Sequence, residues 1–222
     1  MALPSLPPAF QLIRLDREVA AFERAIRAAP RGIEHGTVYW SERADLLDMA
    51  LVLEPEAPAS ASLEAVHLLT VAGSEALAQL VPAALPVACA WPGELLLDDA
   101  RLGGVRAAMA PTIDPAAPPP WLVLGLRLRL DPFGGASDNK TAAALLEAVT
   151  RNFLRWTNRT LEDGPAPVRA AWNQRCFRRG EPAELGLGGE RIAGPVAGLD
   201  AAGRFVVGDR ALALDDALEL LA

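Results

Sequence analysis

This 222-residue chain has only two cysteines and two histidines, the side chains that most often hold transition metals or act as nucleophile and base. Cys89 and Cys176 are far apart in sequence and form no C-x-x-C pair, so buried, reduced thiols are expected. His35 and His67 have no neighbour at metal-ligand spacing. His67 falls on a helical pattern, where an ordinary partly buried histidine is expected. There is no phosphate-binding G-x-x-x-x-G-K-[ST] loop and no G-x-S-x-G nucleophile elbow. No stretch offers about 18 uninterrupted apolar residues, so no membrane span is expected. Met1 to Leu12 lacks a basic segment followed by a long apolar run, which argues against a signal peptide. The N-glycosylation patterns at Asn139 and Asn158 are then chance matches, and a cytoplasmic protein is the expectation. Basic charge is also scarce: the net charge is −7, the wrong sign for displacing counterions from nucleic acid.

Apolar residues are plentiful, at 51% of the chain, and charged ones make up 22%, a balance that supports a sizeable core. The length suits one medium domain and a small appendage. Leu15, Val19, Phe22 and Ile26 recur at helical spacing and predict a helix over Asp16 to Ala29. Thr37 to Trp40 and Leu46 to Glu54 read as strands, and Ser62 to Leu80 as a helix packed on a sheet. Val87 to Trp91, Leu95 to Asp98, Gly103 to Met109 and Trp121 to Leu130 read as further strands, with the proline-rich run Pro111 to Pro120 as a surface connection. Lys140 to Leu161 carries one apolar stripe (Ala142, Leu146, Val149, Phe153, Trp156), with Asp138 as its N-cap and Gly164 at its end. Val168 to Cys176 reads as a short helix. From Arg179 onward, short apolar runs are split by Gly, Asp and Pro, the texture of a small antiparallel barrel. The class is α+β.

Within this framework Ala90 to Val105 reads as strand, Trp-Pro turn, leucine strand, acidic Asp98-Asp99 turn, and a strand opening on Gly103-Gly104. It resembles biotin–protein ligases, in which a K-W-P-N-D box precedes a K-L-x-G-(I/V) turn. Gly189 to Val207 resembles their C-terminal G-x-A-x-G-I-D-x-x-G-x-L pattern. Val38 to Glu56 is similar to a bacterial subgroup of the biotin/lipoate A/B ligases. The resemblance implies a class II synthetase-like mixed sheet backed by helices over residues 1–176, and a small SH3-like barrel over 179–222. It also implies a nucleotide and an acid sharing one cleft, and it leaves no room for an N-terminal DNA-binding domain.

The implied chemistry runs in two steps. Biotin or lipoate carboxylate attacks the α-phosphate of ATP (with Mg), and a lysine of a biotin carboxyl carrier or lipoyl domain then attacks the acyl-adenylate. Negative charge builds on phosphate oxygens in both, so fixed cations should dominate catalysis. The lysine of K-L-x-G is Arg101 here, followed by Leu102, Gly103 and Gly104; the charge persists on a planar fork. Its alternative is a solvated arginine at a hairpin end. The K-W-P-N-D box reads Ala90, Trp91, Pro92, Gly93, Glu94. Trp91 could equally be core, and Glu94 a solvated turn residue. The family's glycine- and arginine-rich loop, which orders over the adenylate, is matched to Arg31, Gly32, Glu34, His35 and Gly36, running into Trp40 and Ser41. Most of its arginines are missing. The D-S-T-N element that holds the vitamin head reads Asp16, Arg17, Glu18, Val19. Where the family has G-I-G-I-N-V, Gly125 to Leu130 alternates so that Arg127 and Arg129 share a face with Gly125. They are either the solvated face of an edge strand, or cations moved to the opposite wall of the cleft, or side chains that fill the pocket.

Three functions compete. The first is an ATP-dependent ligase with a partly eroded site. The second is a non-catalytic module that binds a ligand or carrier domain on the same fold, a pseudoenzyme. The third is an interaction protein pairing into a homodimer through a sheet edge.

Overall fold

The computed structural model describes residues 4–112, 114, 116–130 and 139–221, so the expected cap Asp138 lies outside the described residues. Seven strands form the main sheet in the order β1-β2-β3-β7-β6-β5-β4. They are β1 (Gln11–Leu15), β2 (Thr37–Ser41), β3 (Leu46–Leu53), β4 (Val87–Ala90), β5 (Glu94–Leu97), β6 (Ala100–Met109) and β7 (Leu122–Arg129). β1 runs parallel to β2 and every other pairing is antiparallel, so the sheet is mixed.

Alternation assigns the faces. Val38, Trp40, Leu47, Met49, Leu51, Leu124, Leu126 and Leu128 point into one large core. Helices α3 (Ala65–Leu80) and α4 (Asn139–Asp163) cover that face, α5 (Ala166–Gln174) packs against both of them, and α2 (Ala59–Ser62) leads into α3. The five stripe residues of α4 are all buried. Tyr39, Ala50, Val52 and Val123 point the other way, onto α1 (Ala21–Ala28).

The start of the first helix differs from expectation. Leu15 belongs to β1, Val19 is 37% exposed in a turn, and the helix begins only at Ala21. Spacing of four apolar residues cannot tell a strand followed by a turn from a helix. The parallel pairing of Gln11–Leu15 with β2 decides it.

The chain ends in a four-stranded antiparallel sheet, β11-β10-β9-β8, formed by β8 (Pro182–Leu187), β9 (Glu190–Leu199), β10 (Phe205–Val207) and β11 (Arg210–Leu212). A final short helix, α6 (Leu218–Leu221), lies against β6. Asp200 closes the β9–β10 turn, its Oδ1 accepting the Ala202 and Arg204 amides at 2.8 and 2.9 Å. This sheet shares the main core: Phe205 stacks on Trp91 (centroids 5.6 Å apart) and meets Trp172 edge-on at 5.9 Å. Arg169 of α5 pairs with Glu64 and donates to the Ala201 carbonyl. The cysteines are free, and they are spatial neighbours: Cys89 at the end of β4 bridges Cys176 in parallel fashion. Burial pushes their thiols up to about 12 and about 11, so both stay protonated near neutral pH.

His67 is fully rather than partly buried, packed edge-on to Trp172, with Nε2 3.2 Å from the Gly203 carbonyl. Burial pushes its pKa down from 6.5 to about 4. The unfolded chain therefore binds the extra proton first. The stability this group contributes is complete above pH ~6.5 and is lost as pH falls towards ~4, by up to about 3 kcal/mol. His67→Gln should flatten the dependence of urea midpoints on pH across that window relative to the native chain; parallel profiles would contradict this role.

Candidate functional site

β7 is a central strand, paired on both sides, so the edge-strand account of its charged face does not apply. Its α1-side residues run Val123, Gly125, Arg127, Arg129. The first lies under α1, and the last two pass beyond the helix onto open sheet. There a cleft of about 970 Å3 opens, lined by Trp91, Pro92, Glu94, Arg101, Gly103, Gly104, Arg127 and Arg129. Leu46, Leu185, Leu220 and Leu221 add an apolar wall, the last three coming from the chain's C-terminal segment. Sequence reasoning missed this wall, because residues a hundred positions from the strands they face carry no local signal.

The arginines converge. Arg129 Nη2 donates to the Arg101 carbonyl at 3.2 Å, and Arg101 Nε lies 2.8 Å from Glu94 Oε1. Glu94 thus serves as the counter-charge of Arg101, and it is the one carboxylate among the described lining residues. Asp98 and Asp99, at φ 48° and 62°, form the two-residue turn that returns β5 into β6 and brings Arg101 round to Glu94.

The glycine pair sets how closely the strands meet. A Cβ on Gly103 (φ +152°) would lie 1.9 Å from the Arg127 carbonyl oxygen, and one on Gly104 would lie 2.7 Å from that of Gly93. Val105 N–H donates to the same Gly93 oxygen at 2.8 Å, holding β6 to the turn after the cis Trp91–Pro92 bond. The floor of the cleft is therefore bare backbone.

Other expected site residues lie elsewhere. Trp40 points into the core on the opposite face of the sheet, 1% exposed. Ser41 is buried, its hydroxyl donating to the Asp16 carbonyl at 3.3 Å. Arg31, Gly32, His35 and Gly36 connect α1 to the start of β2. Gly32 and His35 line a separate hollow of about 280 Å3 with Glu54 and Trp121, and His35 pairs with Glu54. β3 spans the gap from that end of the sheet to Leu46 in the cleft, roughly 20 Å at strand spacing. The glycine, tryptophan and serine there meet strand and turn demands of β2. The connection that reaches the cleft end is the short turn Glu42–Asp45, in which Arg43 is paired to Asp45.

Four residues beside the cleft were not anticipated. Asp48, opposite Arg127 in the ladder, is 4% exposed, and burial raises its carboxyl above the usual range against the pull of Arg127 and of the Ala21 N–H. Phe22 packs on Gly125, and the Arg106 guanidinium lies 4.3 Å above the Phe22 ring. Arg106 also pairs with Glu23 at 2.7 Å. Desolvation, the largest single influence, would raise the Glu23 carboxyl, but the Arg106 hydrogen bond, the backbone amide and the charges of Arg106 and Arg127 together hold it below the usual range. The one available signal was a lone aspartate in the apolar run Leu46 to Leu53, which in a buried strand implies a partner.

Known proteins resemble this chain in sequence and in fold. The model of the Biotin/lipoate A/B protein ligase family matches residues 6–174. A biotin–[acetyl-CoA-carboxylase] ligase of Paracoccus denitrificans is 27% identical over 180 residues, covering 71% of each chain. A biotin protein ligase-like protein of unknown function from Silicibacter sp. tm1040 superposes with a TM-score of 0.83 at 27% identity, over 98% of this chain and 99% of that one. Biotin protein ligase from Aquifex aeolicus in complex with biotin and ATP shares the fold, with a TM-score of 0.70 at 17% identity over 89% and 91%.

Gly103→Ala should destabilise the protein by at least ~2 kcal/mol in urea unfolding, because the methyl group meets fixed backbone at a positive φ. A change within ~0.5 kcal/mol would show that the two strands can part at no cost.

Proposed function

This chain belongs to the biotin/lipoate A/B protein ligase family, and we propose that its arginine-lined cleft binds ATP and activates a carboxylic acid for transfer to a carrier-protein lysine. The observation that carries the proposal is the convergence of Arg101, Arg127 and Arg129 on one glycine-floored surface of a chain whose net charge is −7. Concentrated positive charge over exposed backbone suits phosphate oxygens.

In this reading the acid's carboxylate attacks the α-phosphorus of ATP. A new P–O bond forms, the bond to the β-phosphate oxygen breaks, and pyrophosphate leaves with its electron pair. The lysine amine then attacks the acyl carbon, AMP departs, and the amine proton passes to solvent. Arg101 is assigned to the phosphate that carries charge in both steps, with Arg127 and Arg129 beside it on the neighbouring strand. Glu94 holds Arg101 until phosphate displaces it. Trp91, Pro92, Gly103 and Gly104 shape the floor. Biotin and lipoate are the acids to test, Mg2+ would accompany ATP, and a biotin carboxyl carrier or lipoyl domain would supply the lysine. The reading treats residues 1–176 as the ligase-like domain and 179–222 as an SH3-like barrel; four antiparallel strands support the second assignment.

A second reading is a binding module without turnover. The Arg101–Glu94 pair and the short Glu42–Asp45 turn favour it, because neither leaves a long cationic loop to close over an adenylate.

Calorimetric titration with ATP and Mg2+ tests the shared premise. Arg101→Ala should weaken binding on the order of tenfold to a hundredfold, and Arg101→Lys by less than about fivefold. Pyrophosphate exchange dependent on either acid separates catalysis from binding alone. Removing Arg101 should cut such exchange on the order of a hundredfold to a thousandfold. No ATP binding by the native chain would overturn both readings.

A further inference from the structure

Beside the cleft, at the head of α1, lies a second space that the protein fills itself. It shares Arg106 and Arg127 with the cleft and is otherwise bounded by Ala20, Phe22, Glu23, Asp48, Met49, Gly125 and Leu126, and only about 10 Å3 remain open. That is room for a single water molecule. The lining is unlike an ordinary core. Two carboxylates and two guanidiniums surround one phenyl ring, the mixture of donors and acceptors that would enclose the polar edge of a ligand.

The ring is held firmly. Phe22 is 3% exposed, and it lies so close to the strand that a Cβ on Gly125 would be 2.7 Å from its Cδ2. The other face of the ring meets Arg106, which Glu23 anchors one residue along the same helix. Asp48 accepts the Ala21 N–H at the start of the helix and so fixes α1 over this spot. Glycine at 125 creates the space, and phenylalanine at 22 occupies it.

We infer that Phe22 is a specificity-determining residue, a built-in plug that excludes acids with a rigid fused-ring head such as biotin from this cleft. The inference rests on the reading of the cleft as the place where ATP and an acid meet. A rigid bicycle with a polar edge needs an enclosed pocket to bury most of its surface. What adjoins the arginines without Phe22 removed is open sheet. The acids that remain are those whose chain can lie along Leu46, Leu185 and Leu220 without entering the space beside α1.

The test is calorimetric binding of biotin to the native protein, Phe22→Ala and Phe22→Val, with ATP titrated separately into each. The native chain should show no saturable biotin binding up to about 1 mM. Phe22→Ala should bind biotin at least tenfold more tightly, Phe22→Val should fall between, and ATP affinity should stay within about threefold in all of them. If Phe22→Ala loses cooperative unfolding, Phe22→Val carries the test. Biotin binding by the native chain at micromolar concentration overturns the plug, and so does a folded variant with no gain. Loss of ATP binding from every protein, with biotin gained on removing the ring, would overturn the proposed function and leave the plug standing.

Discussion

Everything at the site depends on the period-2 alternation of one central strand. β7 places Leu122, Leu124, Leu126 and Leu128 in the core, so Gly125, Arg127 and Arg129 must face the other way. A slip of one residue would bury two guanidiniums and expose four leucines, at a cost far beyond the stability of a domain this size. The hydrophobic face thus holds the arginines in register. α1 covers the strand only as far as Gly125, which is why the same row of side chains passes from packed core into an open cleft.

A second constraint is close backbone approach. Gly103 and Gly104 let β6 press against β7 and against the turn after Pro92, with no side chain between. That contact sets Arg101 on a strand end beside Arg129 instead of a mobile loop, and it leaves backbone as the cleft floor. The C-terminal sheet is tied to the same corner through Phe205 on Trp91, and α6 brings Leu220 and Leu221 to the cleft's rim. The final segment therefore helps build the site as well as the core.

Much of this was legible in the sequence. Strong alternation in Trp121 to Leu130 and the long stripe of α4 gave both elements their positions. The residues of the Trp91–Pro92 and Leu102–Gly104 motifs line one cleft, and they stand out in the sequence because turns and glycine contacts are local demands that leave local marks. The first helix was placed too early, since short apolar spacing in Leu15 to Ile26 fits two structures and only the pairing of β1 decides between them. The loop residues Arg31 to Gly36 lie at the end of the sheet away from the cleft. Their glycines serve a turn whose φ is positive at Gly32 and Gly36, and such turns look alike wherever they occur. Phe22, Arg106 and Asp48 are each ordinary in the sequence, and only the crossing of α1 over β3 and β7, which brings the Phe22 ring to Arg106, makes them a group.

The central claim is that Arg101, Arg127 and Arg129 together form an anion-binding surface. Side-chain Nε–Hε resonances of the arginines, followed by NMR during titration with ATP and Mg2+, test it most directly. The account predicts saturable shifts at Arg101, Arg127 and Arg129 with a common affinity, while Arg155 and Arg159, on α4 behind the opposite face of the sheet, stay unmoved. Equal small shifts at all arginines, or saturable shifts confined to Arg31 beside the separate hollow, would contradict it.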